Sequence, residues 1–390
     1  MPTIHPFHLA FSGGLHLGAR GINLEESSAA VPADTLFSAL VATWRLMGYD
    51  PPALVARAQQ SPPFLLTSAF PRVGNVRFYP MPVDPAVLFT QSGWQTIRQR
   101  GKAIKRLRYL SEGLVRRWLI EQQPLDDALF DEQGNAAQGV SLQHDTLWLS
   151  KEEVEQLPPA FRFLDKAQRR KRPLEALRYL PVWTHHRIPR VTIDRIRSAS
   201  NIYHVGAVRF AEGCGLWFGI VWQNADMPVS EAEDGQTFRE LVRSALDLLQ
   251  TNGLGGERSS GYGQFTLSEA PPVNLPDAKE GMCAWLLSRY LPQTSELEAN
   301  VLADRQTAYA ITTVRGWVHT FDAPDQRRKS LVMIREGSLV RATGAVMGAV
   351  ANVQPTYGAN EGTPGIPHPV YRYGVAVALG VPPHKEGSHG

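Results

Sequence analysis

Residues 253–263 read Gly-Leu-Gly-Gly-Glu-Arg-Ser-Ser-Gly-Tyr-Gly, with five glycines and two serines. Upstream, Thr237 and Glu240 form a capping box: threonine at the N-cap and glutamate three residues later. They open a helix whose core face is expected to be Phe238, Leu241, Val242, Ala245, Leu248 and Leu249, and Gly253 ends it. Downstream, 264–267 reads as a short strand. A helix-to-strand connection needs fewer residues without a Cβ than this. Glycines let backbone N–H groups approach an anion closely. Ser259 and Ser260 add hydroxyls, Arg258 adds a planar fork suited to phosphate, and Tyr262 adds a ring that can stack on a base. Gly255, Gly256, Arg258, Ser259, Ser260, Gly261, Tyr262 and Gly263 are therefore the candidate phosphate cradle. The plain alternative is a flexible connection.

The rest of the first 270 residues frames this loop. Phe7, Leu9 and Phe11 alternate with His8 and Ala10, which is the period of a strand. A turn with Gly13, Gly14, His16, Gly18 and Gly21 follows. Leu36, Phe37, Leu40, Val41 and Trp44 then recur at helical spacing until Gly48, Pro51 and Pro52 stop them. Strands are expected at 190–195, 205–210 and 216–222. The order strand, helix, two strands, helix, strand is that of a ferredoxin-like domain. Residues 50–185 read as an insertion without a core of its own. Within it, 98–118 is expected to be helical from Ile97, Ile104, Leu107, Leu110, Leu114 and Trp118, and 131–141 to be a polar loop. Pro271, Pro272 and Pro276 mark a linker to a second, strand-rich domain at 271–390. Its strands are expected at 283–291, 308–320, 330–342, 344–353 and 371–381, with a disordered tail from about 382. The predicted fold class is α+β.

The formal net charge of +3 conceals an asymmetry. Residues 98–118 hold eight Lys/Arg against Glu112 alone, and 162–209 hold twelve against Asp165, Glu175 and Asp194. Together these segments carry +16, so the remainder carries −13. Such a distribution suits a polyanion-binding face. Lys102, Lys105, Arg106, Arg169, Arg170 and Lys171 are candidate phosphate contacts. Arg190, Thr192 and Arg195 lie on a strand that reads as the base of a hairpin along a nucleic acid. The alternative for each segment is a solvated surface.

Other classes are disfavoured. There is no phosphate-binding P-loop, His-Glu-x-x-His, nucleophile elbow or dinucleotide fingerprint, so neither cofactor nor metal is expected. Cys214 and Cys283 are the two cysteines, too few for a zinc cluster or a disulfide scaffold, which fits a reducing cytosol. The longest apolar stretch, Cys214–Trp222, is about half a membrane span. No signal peptide is visible, and a cytoplasmic location is expected.

Three stretches together resemble the RAMP superfamily of CRISPR proteins. They are 15–40, with Leu15, His16, Leu17, Gly18, Leu24, Glu25 and the run 34–40 (Asp-Thr-Leu-Phe-Ser-Ala-Leu); 190–195 (Arg-Val-Thr-Ile-Asp-Arg); and 255–263. More narrowly, they look like the family of fourth subunits of type III-A Csm complexes. The resemblance spans residues 7 to 268 and implies two ferredoxin-like (RRM-like) domains, the first with a large, thumb-like basic insertion. It implies a non-catalytic RNA-binding subunit that caps the 5′ repeat-derived handle of the crRNA. Its partners would be the large signalling and nuclease subunit and the backbone RAMP subunits, with target RNA met indirectly. His16 and Gly18 enter the candidate site on this basis. One alternative is a RAMP-type, metal-independent endoribonuclease that processes precursor crRNA, using His8, His16, His185 or His186 as general acid or base. Another is the equivalent capping subunit of a type III-B or III-D complex.

Overall fold

In the computed structural model, the described residues are 2–18, 28–98, 101–129, 138–165, 170–194, 199–230, 235–318, 325–356 and 365–383. Strand β1 (Thr3–Phe11) leads through the glycine turn to helix α1 (Ala33–Leu46). The N-cap of α1 is Pro32, which offers no side-chain cap. A distant residue substitutes, because the Ala33 N–H donates to Ser68 Oγ at 2.9 Å. Leu36, Phe37, Leu40 and Trp44 are all buried, as their spacing predicts. Helix α2 (Pro51–Gln60) and strands β2 (Phe64–Leu66), β3 (Phe70–Val73) and β4 (Val76–Pro80) follow.

The basic stretch is not one helix. It breaks into α3 (Gln91–Arg98), α4 (Gly101–Arg106), strand β5 (Tyr109–Ser111) and α5 (Glu112–Leu119). Ile97, Leu107, Leu110, Leu114 and Trp118 nevertheless all face the core, and Ile104 is half-buried. Leu110 faces the core from a strand. Ser111 ends that strand and caps α5, accepting from the Leu114 N–H. Strands β6 (Gly139–Leu142) and β7 (Leu147–Ser150) complete this region. Residues 139–141 of the expected polar loop are thus a strand, and 131–137 lie outside the described residues.

Next come the long strands β8 (Trp183–Asp194) and β9 (Ala199–Phe210), which pair with each other as a two-stranded ribbon. Strand β10 (Cys214–Trp222), helix α6 (Phe238–Asn252) and strand β11 (Phe265–Glu269) follow. The capping box forms as expected: Thr237 Oγ1 accepts from the Glu240 N–H, and the Glu240 carboxylate accepts from the Thr237 N–H. Gly253 ends α6 with φ of +77°.

The main sheet runs β11-β1-β10-β3-β4-β5-β7-β6, with β2 also paired to β10 and Val273–Asn274 to β1. Two expectations change here. On the side away from β1, β10 pairs with β2 and β3, not with residues 205–210, which belong to the ribbon. The region read as an insertion without a core has one: Phe78, Val140, Leu142, Leu147, Leu149, Phe161, Leu177 and Val182 cluster with Trp183 and Val208 at the ribbon's foot. Its strands also continue the main sheet.

Beyond the prolines, β12 (Cys283–Leu286), β13 (Leu339–Arg341), β14 (Met347–Asn352), β15 (Tyr371–Ala376) and β16 (Ala378–Gly380) are the principal strands. β12 lies between β13 and β16, and β14 pairs with β15. The expected tail lies outside the described residues from 384 onward. Among the described residues, no helix is long and apolar enough to cross a membrane.

The two parts share one hydrophobic core. Trp285, Leu287, Tyr373, Val375 and Leu379 cluster with Phe37, Trp44 and Trp217. Phe37 stacks on Tyr373 with ring centroids 4.7 Å apart. Beside this stack lies a buried ion cluster. Asp34, with its side chain 1% exposed, accepts from Arg372 (3.2 Å) and Arg289 (3.1 Å). Burial pulls the Arg372 guanidinium below its ordinary range, and the Asp34 charge opposes that pull. Arg372 also donates to Ser38 Oγ at 3.1 Å, and Arg289 approaches Glu336 at 3.7 Å. Asp34→Ala would leave the Arg372 guanidinium, 5% exposed, without its carboxylate, while Arg289 would keep only Glu336. Removing one partner of a buried pair costs about 3–5 kcal/mol. Urea denaturation should show a loss of that size; a change below about 1 kcal/mol would remove Asp34 as the link between the two parts.

Candidate nucleic-acid interface

The glycine-rich loop is pinned to the turn after β1, and that turn is pinned to the ribbon. The Gly263 N–H donates to the Gly14 carbonyl (2.9 Å), and the Gly256 N–H donates to the His16 carbonyl (3.0 Å). Leu15 and Val208 exchange both backbone bonds at 2.8 Å. His16 is buried, with Nδ1 2.6 Å from the Gly206 carbonyl. A carbonyl only accepts, so Nδ1 carries the proton. Three segments distant in sequence therefore meet by main-chain contact around one imidazole.

This close approach explains the glycines. A Cβ on Gly255 would lie 2.4 Å from the His16 carbonyl oxygen, and one on Gly263 would lie 2.1 Å from that of Leu254. Both residues also have positive φ, +93° and +79°. Gly261 differs: its φ is +82°, but a Cβ there meets nothing within 4 Å. At the loop's apex, Arg258–Ser260 makes a 3-10 turn flanked by left-handed Glu257 and Gly261. The Ser260 N–H donates to the Glu257 carbonyl (2.9 Å), and the Gly261 N–H donates to that of Arg258 (3.0 Å). Arg258, Ser259 and Ser260 are exposed. Arg190 of β8 reaches Glu257 at 4.0 Å, so the ribbon's cation stands beside the apex.

One role changes. Tyr262 is 9% exposed, and its ring lies against Gly14, where a Cβ would come within 2.7 Å of Cε1. The ring wedges the loop onto the turn and is not open for stacking on a base. Gly18 is exposed at the end of the described part of the turn. The backbone of Thr192 pairs opposite Asn201. Arg195 and Arg169 lie outside the described residues. Val191 and Ile202 face each other across the ribbon and are 55% and 65% exposed.

The basic segments sit in the inserted region, apart from the contacts that build the loop. Lys102 is within α4, and Lys105 and Arg106 are exposed at its end. Arg170 and Lys171 are exposed on a short strand. Lys171 and Arg162 flank Glu155, each at 3.1 Å, and hold its carboxyl below the usual range. Part of the charge counted in the sequence is thus neutralised locally.

The histidines weighed as acid or base are dispersed. His185 and His186 are exposed on β8, and His16 is buried in the turn. His8 is buried in β1, where burial and the cations Arg72 and Arg77 push its pKa down to about 4. Sequence reasoning missed Gly206, whose carbonyl orients His16, and Glu257, whose left-handed φ of 57° turns the loop. Neither carries a local signal beyond the glycine density around it.

Residues 279–381 match the family model described as the CRISPR Csm4 C-terminal domain. A curated relative from Mycobacterium tuberculosis, "CRISPR system Cms protein Csm4", is 27% identical over 210 residues, which is 53% of this chain and 60% of that protein. The match thus spans less than two thirds of that relative's length. A relative of the same name from Methanocaldococcus jannaschii is 22% identical over 354 residues, 85% of this chain and 84% of that protein. Residues 279–381 thus resemble the Csm4 C-terminal domain, and the chain is similar to Csm4 proteins along much of its length. A chain in the crystal structure of the Csm3-Csm4 subcomplex of the type III-A interference complex shares the fold. Its TM-score is 0.61 at 15% identity, covering 98% of this chain and all of that one. A chain in the Csm1-Csm4 cassette in complex with cA4 gives 0.50 at 16% identity, covering 98% of each. At such identities the likeness shows the fold and leaves the loop's contacts to be read from this chain's own geometry.

Gly255→Ala and Gly263→Ala should each disrupt the loop and lower its protection from amide exchange. Gly261→Ala should cost only the left-handed backbone strain, about 1–2 kcal/mol, and leave the neighbouring amides protected. Equal effects at all three positions would contradict the packing described. A pH dependence follows from His8. The unfolded chain protonates it near 6.5, while the folded protein keeps it neutral down to about 4. Acidification through that window therefore favours unfolding. The His8 share of the loss should reach about 1–2 kcal/mol by pH 5, and His8→Gln should flatten the stability profile there. An unchanged profile would show that His8 is not the group responsible.

Proposed function

We propose that this chain is a non-catalytic, RNA-binding subunit of a type III-A Csm complex in CRISPR defence, and that it caps the 5′ handle of the crRNA. The observation that carries the reading is the loop apex. Exposed Arg258, Ser259 and Ser260 stand on a rigid, main-chain-bonded support beside Arg190. A phosphate can there meet a guanidinium fork, two hydroxyls and backbone N–H groups without having to order them first. Exposed Lys105, Arg106, Arg170 and Lys171 would add sequence-independent contacts.

The sheet order β11-β1-β10-β3, with α1 packed along α6, supports a ferredoxin-like first domain. That core is the sequential strand-helix-strand, strand-helix-strand unit, interrupted between β3 and β10. The related solved structures are of a Csm3-Csm4 subcomplex and a Csm1-Csm4 cassette. By that likeness, the protein partners here are a backbone RAMP subunit and the large signalling subunit. Dispersed histidines, one of them held neutral by burial, favour binding over general acid–base cleavage.

Arg258→Ala in the assembled complex should lower crRNA retention, and log affinity should fall by about 0.7 per log unit of salt for each phosphate neutralised. Arg258→Ala should reduce that slope by about one such increment. Precursor crRNA incubated with the purified chain without metal should stay intact. Unchanged retention with an unchanged slope would overturn the capping reading, and a discrete cut within the repeat would overturn the non-catalytic one.

A further inference from the structure

Three consecutive non-glycine residues between β6 and β7, Gln143, His144 and Asp145, have φ of 52°, 53° and 68°. L-residues avoid this region, and a run of three persists only where the surroundings over-determine it. Here they do. The Gln143 N–H donates to the Leu180 carbonyl (3.2 Å), and the His144 N–H donates to that of Arg178 (2.7 Å). The Gln143 amide oxygen accepts from the N–H groups of Val182 (2.6 Å) and Trp183 (3.2 Å), while its nitrogen donates to the Trp183 carbonyl (3.0 Å). Asp145 accepts from Ser141 Oγ (2.8 Å) and from Arg178, and Arg106 lies 3.6 Å away. The turn is thereby clamped to the stretch that runs directly into β8.

The clamp presents Tyr179, which is 64% exposed. His144 meets its ring edge-on at 6.3 Å, and the Arg178 guanidinium lies 5.4 Å from the ring centre. Arg106 and Lys105 are exposed on the neighbouring helix end. Asp145 is engaged by the two arginines, so the rim keeps a cationic balance. A tyrosine oriented in advance and ringed by cations suits an unpaired base flanked by phosphates. A protein partner would favour a dry apolar surround, which this rim lacks.

We propose that Tyr179, positioned by His144 and Arg178, is a stacking platform for an unpaired base of single-stranded RNA, with Arg106 and Lys105 meeting the adjacent phosphates. The platform rests on the RNA-binding reading above but uses no residue of the glycine-rich loop. It stands at the ribbon's foot. Tyr179 lies four positions before Trp183, and Trp183 lies four positions, about 13 Å of strand, before Arg187, which pairs with the Gly206 that anchors His16. One RNA strand can therefore follow the ribbon from the loop to the platform.

The test is equilibrium binding of 4-thiouridine-substituted single-stranded RNA to the full-length chain, with photocrosslinks mapped by mass spectrometry. Wild type should crosslink at Tyr179 or His144. Tyr179→Ala should lose those crosslinks and weaken binding about tenfold, with an unchanged salt slope because no charge is removed. Tyr179→Phe should behave as wild type, and thermal melts should match, since the ring is surface-exposed. Wild-type affinity and crosslinks in Tyr179→Ala would overturn the proposal and leave the Arg258 result standing. Weakened association with partner subunits at unchanged RNA affinity would also overturn it, by assigning the ring to a protein interface. Loss in Tyr179→Ala supports the platform even if Arg258→Ala binds normally, so the two readings fail separately.

Discussion

A carboxylate buried between two arginines joins the ends of this chain. Asp34 stands in the first turn of α1, and Arg372 in β15, near the other end of the sequence. Neither charge is tolerable alone at its depth. Each is stabilised only when α1 and β15 are docked, so the cluster ties helix position to the placement of the whole C-terminal part. The Phe37–Tyr373 stack follows from the same docking, as does the shared core around Trp285 and Trp217. α1 also packs along α6, whose C-terminal Gly253 opens the glycine-rich loop.

The support of that loop is almost wholly main chain. Gly14, His16, Gly206 and Gly263 contribute backbone atoms to the contacts that align loop, turn and ribbon. Such contacts constrain sequence mainly through excluded Cβ atoms, which is why the loop looks so glycine-rich. The side chains that could meet RNA are left to the apex, where space is open. The candidate site is thus a division of labour: a fixed backbone beneath, and exposed Arg258, Ser259 and Ser260 above.

How much of this was legible in the sequence depended on range. The capping box at Thr237 and Glu240, the α1 face and the glycine loop are set by neighbours within a few residues, and each reads directly. The strand beside β10 did not. β2 and β3 are short and flanked or interrupted by Pro62, Pro63 and Pro71, whereas 205–210 looks like a better strand and forms a ribbon instead. At 98–118 two helices form but not one continuous helix, because Leu110 points inward equally well from the strand between them. The inserted region's own core is assembled from pieces as distant as Val76 and Val208, so no local period announces it. Asp34 and Arg372 are separated by 338 positions, and only the fold pairs them. Tyr262 carried the correct prominence and the wrong role: a ring beside glycines can face outward to a base or inward to Gly14, and only the packing decides.

The most direct test of the loop as the RNA seat is hydrogen–deuterium exchange on the assembled complex, compared with the same subunits without crRNA. The account predicts added protection at 255–261 and at 185–191 on the ribbon, with α1 and β15 unchanged because their docking does not depend on RNA. Added protection confined to other segments, with 255–261 exchanging as fast as in the RNA-free subunits, would contradict it.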